Sequence, residues 1–171
     1  MKLKFAILCV CVIAAGCDDN PAAPSTGAQS VFVAQLSPAN ENPPIANAEA
    51  GGRGAAQIAF AVTRDSSGNV TGGTATMTFQ IAGFPGDTRV VGAHIHRGAA
   101  GVNGPILVNT GLSAINFFPL SSGTGQFTAP DVAVDAATMQ SILQDPAGWY
   151  FNVHSPLNPG GFARGQLTRI N

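Results

Sequence analysis

Hydrophobic and polar residues alternate with a period of two along most of the chain after residue 30. The stretches "SVFVAQL", "GAAQIAFAVT" and "ATMTFQIAG" each place apolar side chains on alternate positions. This period is typical of a β-strand with one buried face. The turn-forming cluster "RDSSGN" at 64–69 separates the second stretch from the third, so strands near 55–63 and 70–82 are predicted to form a hairpin.

The same reasoning predicts further strands near 89–96, 105–110, 124–129, 149–154 and 162–169. One segment, "VDAATMQSILQDPAG", instead has helical spacing, with Asp135 as N-cap, Met139 and Ile142 on one face, and Pro146 at the end. We therefore expect an all-β fold: a single Greek-key-like β-sandwich or barrel of about seven or eight strands, with one short helix near 135–145.

The N-terminal stretch "MKLKFAILCVCVIAAGCDDN" has the form of an export signal. Lys2 and Lys4 precede an apolar run at 5–15 that is shorter than the roughly 20 residues needed to span a bilayer. "AAGC" resembles a bacterial lipobox, in which the cysteine is lipidated and becomes the mature N-terminus; the alternative is an ordinary cleaved signal. We predict a signal peptide at 1–16, lipidation of Cys17, and a lipid-anchored protein of the bacterial cell envelope, outside the cytoplasm.

The composition of residues 17–171 indicates a tether and one domain, and it excludes a nucleic-acid partner and cysteine chemistry. Residues 17–30 are predicted to form a disordered, polar Pro/Ala/Ser tether that cannot bury a core, and 31–171 suffice for one domain. Cleavage would remove the two lysines from the eight basic residues, leaving six arginines against nine acids and a charge of −3, which excludes nucleic acid as a partner. No cysteine follows Cys17, which excludes disulfides and thiolate chemistry in the domain.

The three histidines of the chain are the candidate metal ligands. His94 and His96 stand in "AHIHRG", and His154 stands in "YFNVHSPLNPGG". Residues i and i+2 of a strand face the same way, about 6.6 Å apart, so His94 and His96 project together, as do Asn152 and His154. If the two strands are neighbours, three imidazoles converge and suit Zn²⁺, Cu²⁺ or Ni²⁺. The alternative is a polar strand face that hydrogen-bonds to loops.

Two other stretches are assigned structural roles. "RGAAGVNGP" lacks the lysine of a phosphate-binding loop and is interpreted as a tight turn in which Gly98, Gly101 and Gly104 have positive φ. Trp149 and Tyr150, which begin the strand of His154, are expected in the core.

Three blocks, "FVAQLSPANENPPI", "AHIHRGAAGVNGPILVNTG" and "GWYFNVHSPLNPGGFARGQL", resemble the CHRD (chordin) domain family over about 31–169. Glu41 and Asn152 match motif positions of the family, whereas the acid that follows its final glycine pair is Phe162 here. The resemblance implies a compact β domain, repeated in chordin, the extracellular antagonist of bone morphogenetic proteins, and single in many exported bacterial proteins. It implies no reaction.

The histidines also give the chain a weaker similarity to copper/zinc superoxide dismutase. This similarity implies copper ligation by His94, His96 and His154, with Arg164 guiding an anionic substrate and Arg97 assisting. The bridging fourth histidine, the zinc loop and the disulfide of that family are absent from the sequence. The structural alternative for Arg164 is that its five donors tie loop carbonyls or a carboxylate such as Glu41.

Two functions follow from these observations. The first is a membrane-tethered, exported CHRD-domain protein that acts as a non-catalytic binding or scaffold module, with the membrane and an unidentified protein or glycan as partners. The second is an exported copper or zinc protein with a three-histidine site, either redox-inert or redox-active in the manner of superoxide dismutase. No catalytic residue is assigned, and enzymatic activity is the less favoured interpretation.

Overall fold

The computed structural model describes residues 25–26 and 29–171; the predicted signal peptide and the predicted lipidation site, Cys17, lie outside them, as does most of the tether. The described helices are α1 (Ala136–Gln144) and two 3₁₀ turns, Pro38–Asn40 and Pro146–Gly148. No helix in this part of the chain is long and apolar enough to cross a membrane. The strands are β1 (Ser25–Thr26), β2 (Ser30–Leu36), β3 (Arg53–Arg64), β4 (Val70–Ala82), β5 (Arg89–Val90), β6 (Gly92–Arg97), β7 (Ile106–Asn109), β8 (Phe118–Pro119), β9 (Gly125–Val134), β10 (Trp149–His154), β11 (Ala163–Gln166) and β12 (Thr168–Arg169).

These strands form two antiparallel sheets that pack against each other. The large sheet has the order β12-β2-β3-β4-β9, with β1 paired to β3, and the small sheet has the order β11-β10-β6-β7. A separate pair joins β5 to β8. The chain passes between the two sheets after β4, β7, β9 and β11. The predicted all-β sandwich with one short helix is confirmed, and eight of the described strands have four or more residues.

The period-two pattern explains the core between the sheets. Alternate residues of the large sheet, among them Phe60 and Phe79, point inward and are fully buried. They meet Ile95 and Phe151 of the small sheet, and the rings of Phe79 and Phe151 lie 6.0 Å apart between centroids. Burying each large apolar side chain stabilises the fold by about 1.5–3 kcal/mol.

The hairpin and the helix form where the sequence predicts them. Strands β3 and β4 pair along their length, with Ile58 opposite Met77. In the connecting turn, the Asp65 carboxylate accepts hydrogen bonds from the backbone N–H groups of Ser67 and Asn69. Helix α1 begins after Asp135, whose carboxylate accepts from the N–H of Thr138 at 2.9 Å. This bond satisfies one of the free donors at the helix N-terminus.

Two predicted strands are divided in the structure. The strand expected at 89–96 is divided, because Arg89–Val90 pairs with β8 while Gly92–Arg97 pairs with β10. The closing strand is divided at the buried Leu167, after which the chain leaves the small sheet and pairs with β2. Strand β2 covers the predicted stretch "SVFVAQL", and the Ser25–Thr26 backbone, which the sequence assigns to the disordered tether, pairs with β3.

The glycine turn after β6 was predicted to have positive φ at three glycines, and this holds for one of them. Gly101 has a φ of 75°, but Gly98 and Gly104 do not have positive φ, so that part of the prediction is wrong. These two glycines are required by close packing instead. A Cβ at Gly104 would lie 1.6 Å from the Arg97 carbonyl oxygen, and a Cβ at Gly98 would lie 2.7 Å from that of Val102.

Candidate metal centre

The three histidines lie together on the outer face of the small sheet. Strands β6 and β10 are antiparallel neighbours, and their register places Asn152 opposite His94 and Gly92 opposite His154. The condition for convergence, that the two strands be neighbours, is therefore met. Loops cover this face, so His94, His96 and His154 are only 8%, 6% and 8% exposed. We call these three residues the histidine cluster.

The cluster has nearly the dimensions of a metal site. One ring nitrogen from each histidine lies within 4.8 Å of those of the other two, and no carboxylate or cysteine belongs to this group among the described residues. The ring centroid of His94 is 4.7 Å from that of His154 and 5.7 Å from that of His96. Nitrogens bound to one ion at about 2.0–2.1 Å would be about 3.3–3.5 Å apart. Small rotations of the rings would therefore suffice to bind an ion.

Backbone carbonyls fix the tautomers of two rings. Nδ1 of His96 lies 3.0 Å from the Gly104 oxygen, and Nδ1 of His154 lies 3.0 Å from the Pro159 oxygen. Because a carbonyl oxygen only accepts, Nδ1 carries the proton in both rings, and Nε2 has a free lone pair. Both Nε2 atoms are buried without a hydrogen-bond partner, as is Nδ1 of His94. Metal-bound histidines are oriented by this kind of contact from the second nitrogen.

The surroundings keep the imidazoles neutral. Burial, and after it the neighbouring His154 and His96, lower the pKa of His94 to about 4. Burial is also the main cause that lowers the pKa values of His96 and His154, against the opposing effect of their carbonyl contacts. At neutral pH the rings are therefore in the deprotonated form that metal ions bind.

Gly92 provides the space in which two rings of the cluster pack. A Cβ at this position would lie 2.8 Å from Cε1 of His94 and 3.4 Å from the side chain of His154. Sequence reasoning did not assign Gly92 a role, although it stands two residues before His94 on the same strand and therefore on the same face.

Tyr150 is part of the site, not of the apolar core that the sequence suggested. Its ring is parallel to that of His96, with centroids 4.7 Å apart and planes at 7°. The guanidinium carbon of Arg164 lies 3.5 Å from the centroid of the Tyr150 ring. We call His96, Tyr150 and Arg164 the stacked column. Tyr150 alternates with the same period of two as Asn152 and His154. This spacing was the signal that could have placed Tyr150 on the face of the histidine cluster.

Arg164 makes the contacts of a structural residue. Its side chain is 1% exposed and donates to the carbonyl oxygens of Ala99 and Val102 and to Oδ1 of Asn103. These bonds hold the loop that carries Gly104, the partner of His96. They favour the structural alternative for Arg164, and the anion-guiding role stays a prediction. Arg97 is exposed at the end of β6, and strand alternation places it on the face opposite to the histidines.

Glu41 is a buried acid beside Arg164. It is 6% exposed, and its Oε1 has no hydrogen-bond partner. Burial raises the pKa of Glu41 to about 7, although the charge of Arg164 acts to lower it. The sequence offered Glu41 as a carboxylate partner of Arg164. In the structure it ends the 3₁₀ turn at Pro38–Asn40, and its N–H donates to the Pro38 oxygen.

The loop after β10 is held by a second buried acid, which sequence reasoning missed. Glu49 accepts a hydrogen bond from the Ser155 hydroxyl at 2.8 Å and another from the Asn158 amide. These bonds fix the segment whose Pro159 oxygen orients His154. Glu49 lies in no recognisable motif, so only the fold brings it to this loop.

Two residues of the closing block have packing roles. Asn152 is buried on the face of the cluster, and a Cβ at Gly161, where φ is 127°, would lie 2.4 Å from its Nδ2. Phe162 replaces the acid of the family pattern and is fully buried, edge-to-face with Phe84 at 4.8 Å. The departure at this position therefore extends the apolar core.

The comparisons with known proteins agree with the three sequence blocks. The sequence profile of the CHRD domain matches residues 32–167, which span every strand from β2 to β11. Comparison with curated proteins and with solved structures found no significant match. The match covers most of the chain, and this chain therefore belongs to the CHRD domain family.

Proposed function

We propose that this protein is a non-catalytic binding module of the cell envelope and that its CHRD domain binds one transition-metal ion, copper or zinc. The observation that carries the proposal is the convergence of three buried imidazoles, since one ring nitrogen of each histidine lies within 4.8 Å of those of the other two. Each ring also has one buried nitrogen without a hydrogen-bond partner. Leaving a buried polar atom unpaired costs about 1–3 kcal/mol, and an ion that these nitrogens bind would satisfy them.

The contacts around the cluster support a site built before the ion arrives. Two rings are oriented by carbonyls, the ligand atoms are deprotonated, and the loop carbonyls are held by Arg164 on one side and Glu49 on the other. A pre-organised site pays little ordering entropy on binding. This favours metal binding over a polar face that merely hydrogen-bonds to loops.

Metal content tests the proposal directly. The full chain, exported from a bacterial host and purified without a histidine tag, is loaded with Cu²⁺ or Zn²⁺, desalted and analysed for metal. We expect about one equivalent in the native protein and none in the His94→Ala/His96→Ala variant. Asn152→Ala is the matched control, since it removes a buried polar side chain from the same face without removing an imidazole, and it should keep the metal. Metal absent from the native protein, or equally retained by the double variant, would contradict the proposal.

We also propose that the module is exported and anchored through lipid on Cys17. The support is the sequence alone: two lysines, a short apolar run and "AAGC". Growth with a labelled fatty acid should label the native chain and not a Cys17→Ala variant, and label in both or in neither would contradict the anchor. A protein or glycan partner stays a prediction.

The redox alternative uses the same metal-loaded protein. If copper in the cluster cycles as in superoxide dismutase, the loaded protein removes superoxide faster than the same concentration of copper with the double variant. Equal rates would leave a binding function. The support for this alternative is the arrangement of His94, His96 and His154, and the structural contacts of Arg164 are against it.

A further inference from the structure

We infer that the histidine cluster selects a monovalent, closed-shell cation, with Cu(I) as its occupant, over the divalent ions Zn²⁺ and Cu²⁺. This inference rests on the proposed function, because it concerns the identity and charge of the ion in the same site. It draws on three features of the described residues: the charge of the donor set, the burial of the site and the stacked column beside it.

The donor set carries no negative charge. It comprises three neutral imidazoles, and no carboxylate or cysteine joins the group in the part of the chain that the structure describes. A divalent ion bound there would keep its full double charge. Structural and catalytic zinc sites complete a tetrahedron with a fourth ligand, which is water when the protein supplies three. A closed-shell monovalent ion is satisfied by three nitrogen donors and needs no fourth ligand.

Burial makes the charge of the ion decisive. Each ring of the cluster is less than a tenth exposed, so an ion there loses most of its contact with water. The free-energy cost of transferring an ion into a low-dielectric interior grows with the square of its charge. This cost is therefore about four times larger for a divalent ion than for a monovalent ion of similar size. Neutral ligands offset only part of this cost.

The stacked column places the guanidinium of Arg164 on one side of the site. Arg164 lies against one face of Tyr150, and His96 lies against the other face. The acid that interacts with Arg164 is Glu41. When Glu41 is ionised, the pair is neutral, and when Glu41 is protonated, the pair is positive. In neither case does the pair offer net negative charge, so nothing in it offsets the second positive charge of a divalent ion.

Competition titrations on the unaltered protein test the inference. The protein, exported and free of tags, is titrated without oxygen with Cu(I) against a coloured Cu(I) chelator, and separately with Cu²⁺ and Zn²⁺ against chelators for those ions. We expect Cu(I) to bind at least about 100-fold more tightly than Cu²⁺, which raises the copper reduction potential by about 120 mV at 59 mV per tenfold change. Zn²⁺ should bind more weakly than Cu(I) by a similar factor.

A second probe assigns the ion to the cluster without a mutation that could unfold the domain. Ag(I) is monovalent, closed-shell and redox-inert, and one equivalent should shift the ring nitrogen NMR signals of all three histidines. Tighter binding of Zn²⁺ or Cu²⁺ than of Cu(I) would overturn this inference and leave the proposed function standing. Failure of every ion to bind would overturn both, and Ag(I) binding that leaves the histidine signals unchanged would place the monovalent ion elsewhere and overturn this inference alone.

Discussion

Replacing Glu41 by glutamine should change how the stability of the domain depends on pH. Burial raises the pKa of the Glu41 carboxyl from 4.5 to about 7 in the folded protein. Because the folded pKa is above the unfolded value, protonated Glu41 stabilises the fold fully below about pH 4.5, and this contribution is lost as the pH rises through about 7. Glutamine has the same shape and no charge to lose.

The size of the effect follows from the change in pKa. A rise of about 2.5 pH units corresponds to about 3.4 kcal/mol at 1.36 kcal/mol per unit. Glu41 lines two grooves at the surface, and solvent screening there reduces the expected value to about 2 kcal/mol. Between about pH 5 and pH 8, the native protein should therefore lose about 2 kcal/mol of unfolding free energy relative to Glu41→Gln.

Urea unfolding of both proteins at a series of pH values, with a chelator present to remove metal, measures this difference. Contributions from the histidines and the other acids cancel, since they are common to both proteins. A constant offset between the two curves only reports the packing of the new amide. If the difference in unfolding free energy between the native protein and Glu41→Gln is constant from about pH 5 to pH 8, Arg164 stabilises the carboxylate as fully as water does. That result would refute the argument from burial.

Three further predictions test the site and the core. Gly92→Ala should weaken metal binding at least about tenfold by displacing the His94 ring. The control Gly160→Ala, where a Cβ meets nothing within 4 Å, should leave the affinity unchanged. Equal affinities of the two variants would refute the packing role of Gly92. Phe162→Ala should cost about 3–5 kcal/mol in urea unfolding, because the ring is fully buried against Phe84, and a loss below about 1 kcal/mol would contradict its place in the core. Asp135→Ala should cost about 1 kcal/mol by removing the cap of helix α1, and unchanged stability would show that the cap bond adds nothing.

Local pattern was enough to predict the elements of the fold. Period-two alternation identified the inward faces of β3 and β4, and Asp135 with Pro146 bounded the helix, because these features depend on neighbours in sequence. The division of the strand at 89–96 was not predictable in this way. It arises from pairing of Arg89–Val90 with Phe118–Pro119, and such distant pairing leaves no mark on the local pattern.

The site was predictable only in part, for the same reason. The i and i+2 spacing placed His94 and His96 on one face, but their meeting with His154 depends on the pairing of β6 with β10, which is non-local. The covering loops act through backbone atoms, such as the carbonyl oxygens of Gly104 and Pro159, which no side-chain pattern reveals. Tyr150 was assigned to the core together with Trp149, whereas its ring stacks on His96.

The unpartnered atoms of the described residues separate a structural explanation of the histidines from a functional one. Five buried side-chain atoms lack a partner there, and three of them are ring nitrogens of the histidine cluster. A sheet face that needed only to pack beneath loops would be more stable with apolar residues, or with polar residues that are fully hydrogen-bonded. Instead, His96 and His154 each bind a carbonyl through one nitrogen and leave the other free. The three rings offer ring nitrogens within 4.8 Å of one another, so one ion bound by the cluster would recover the stability lost at these atoms.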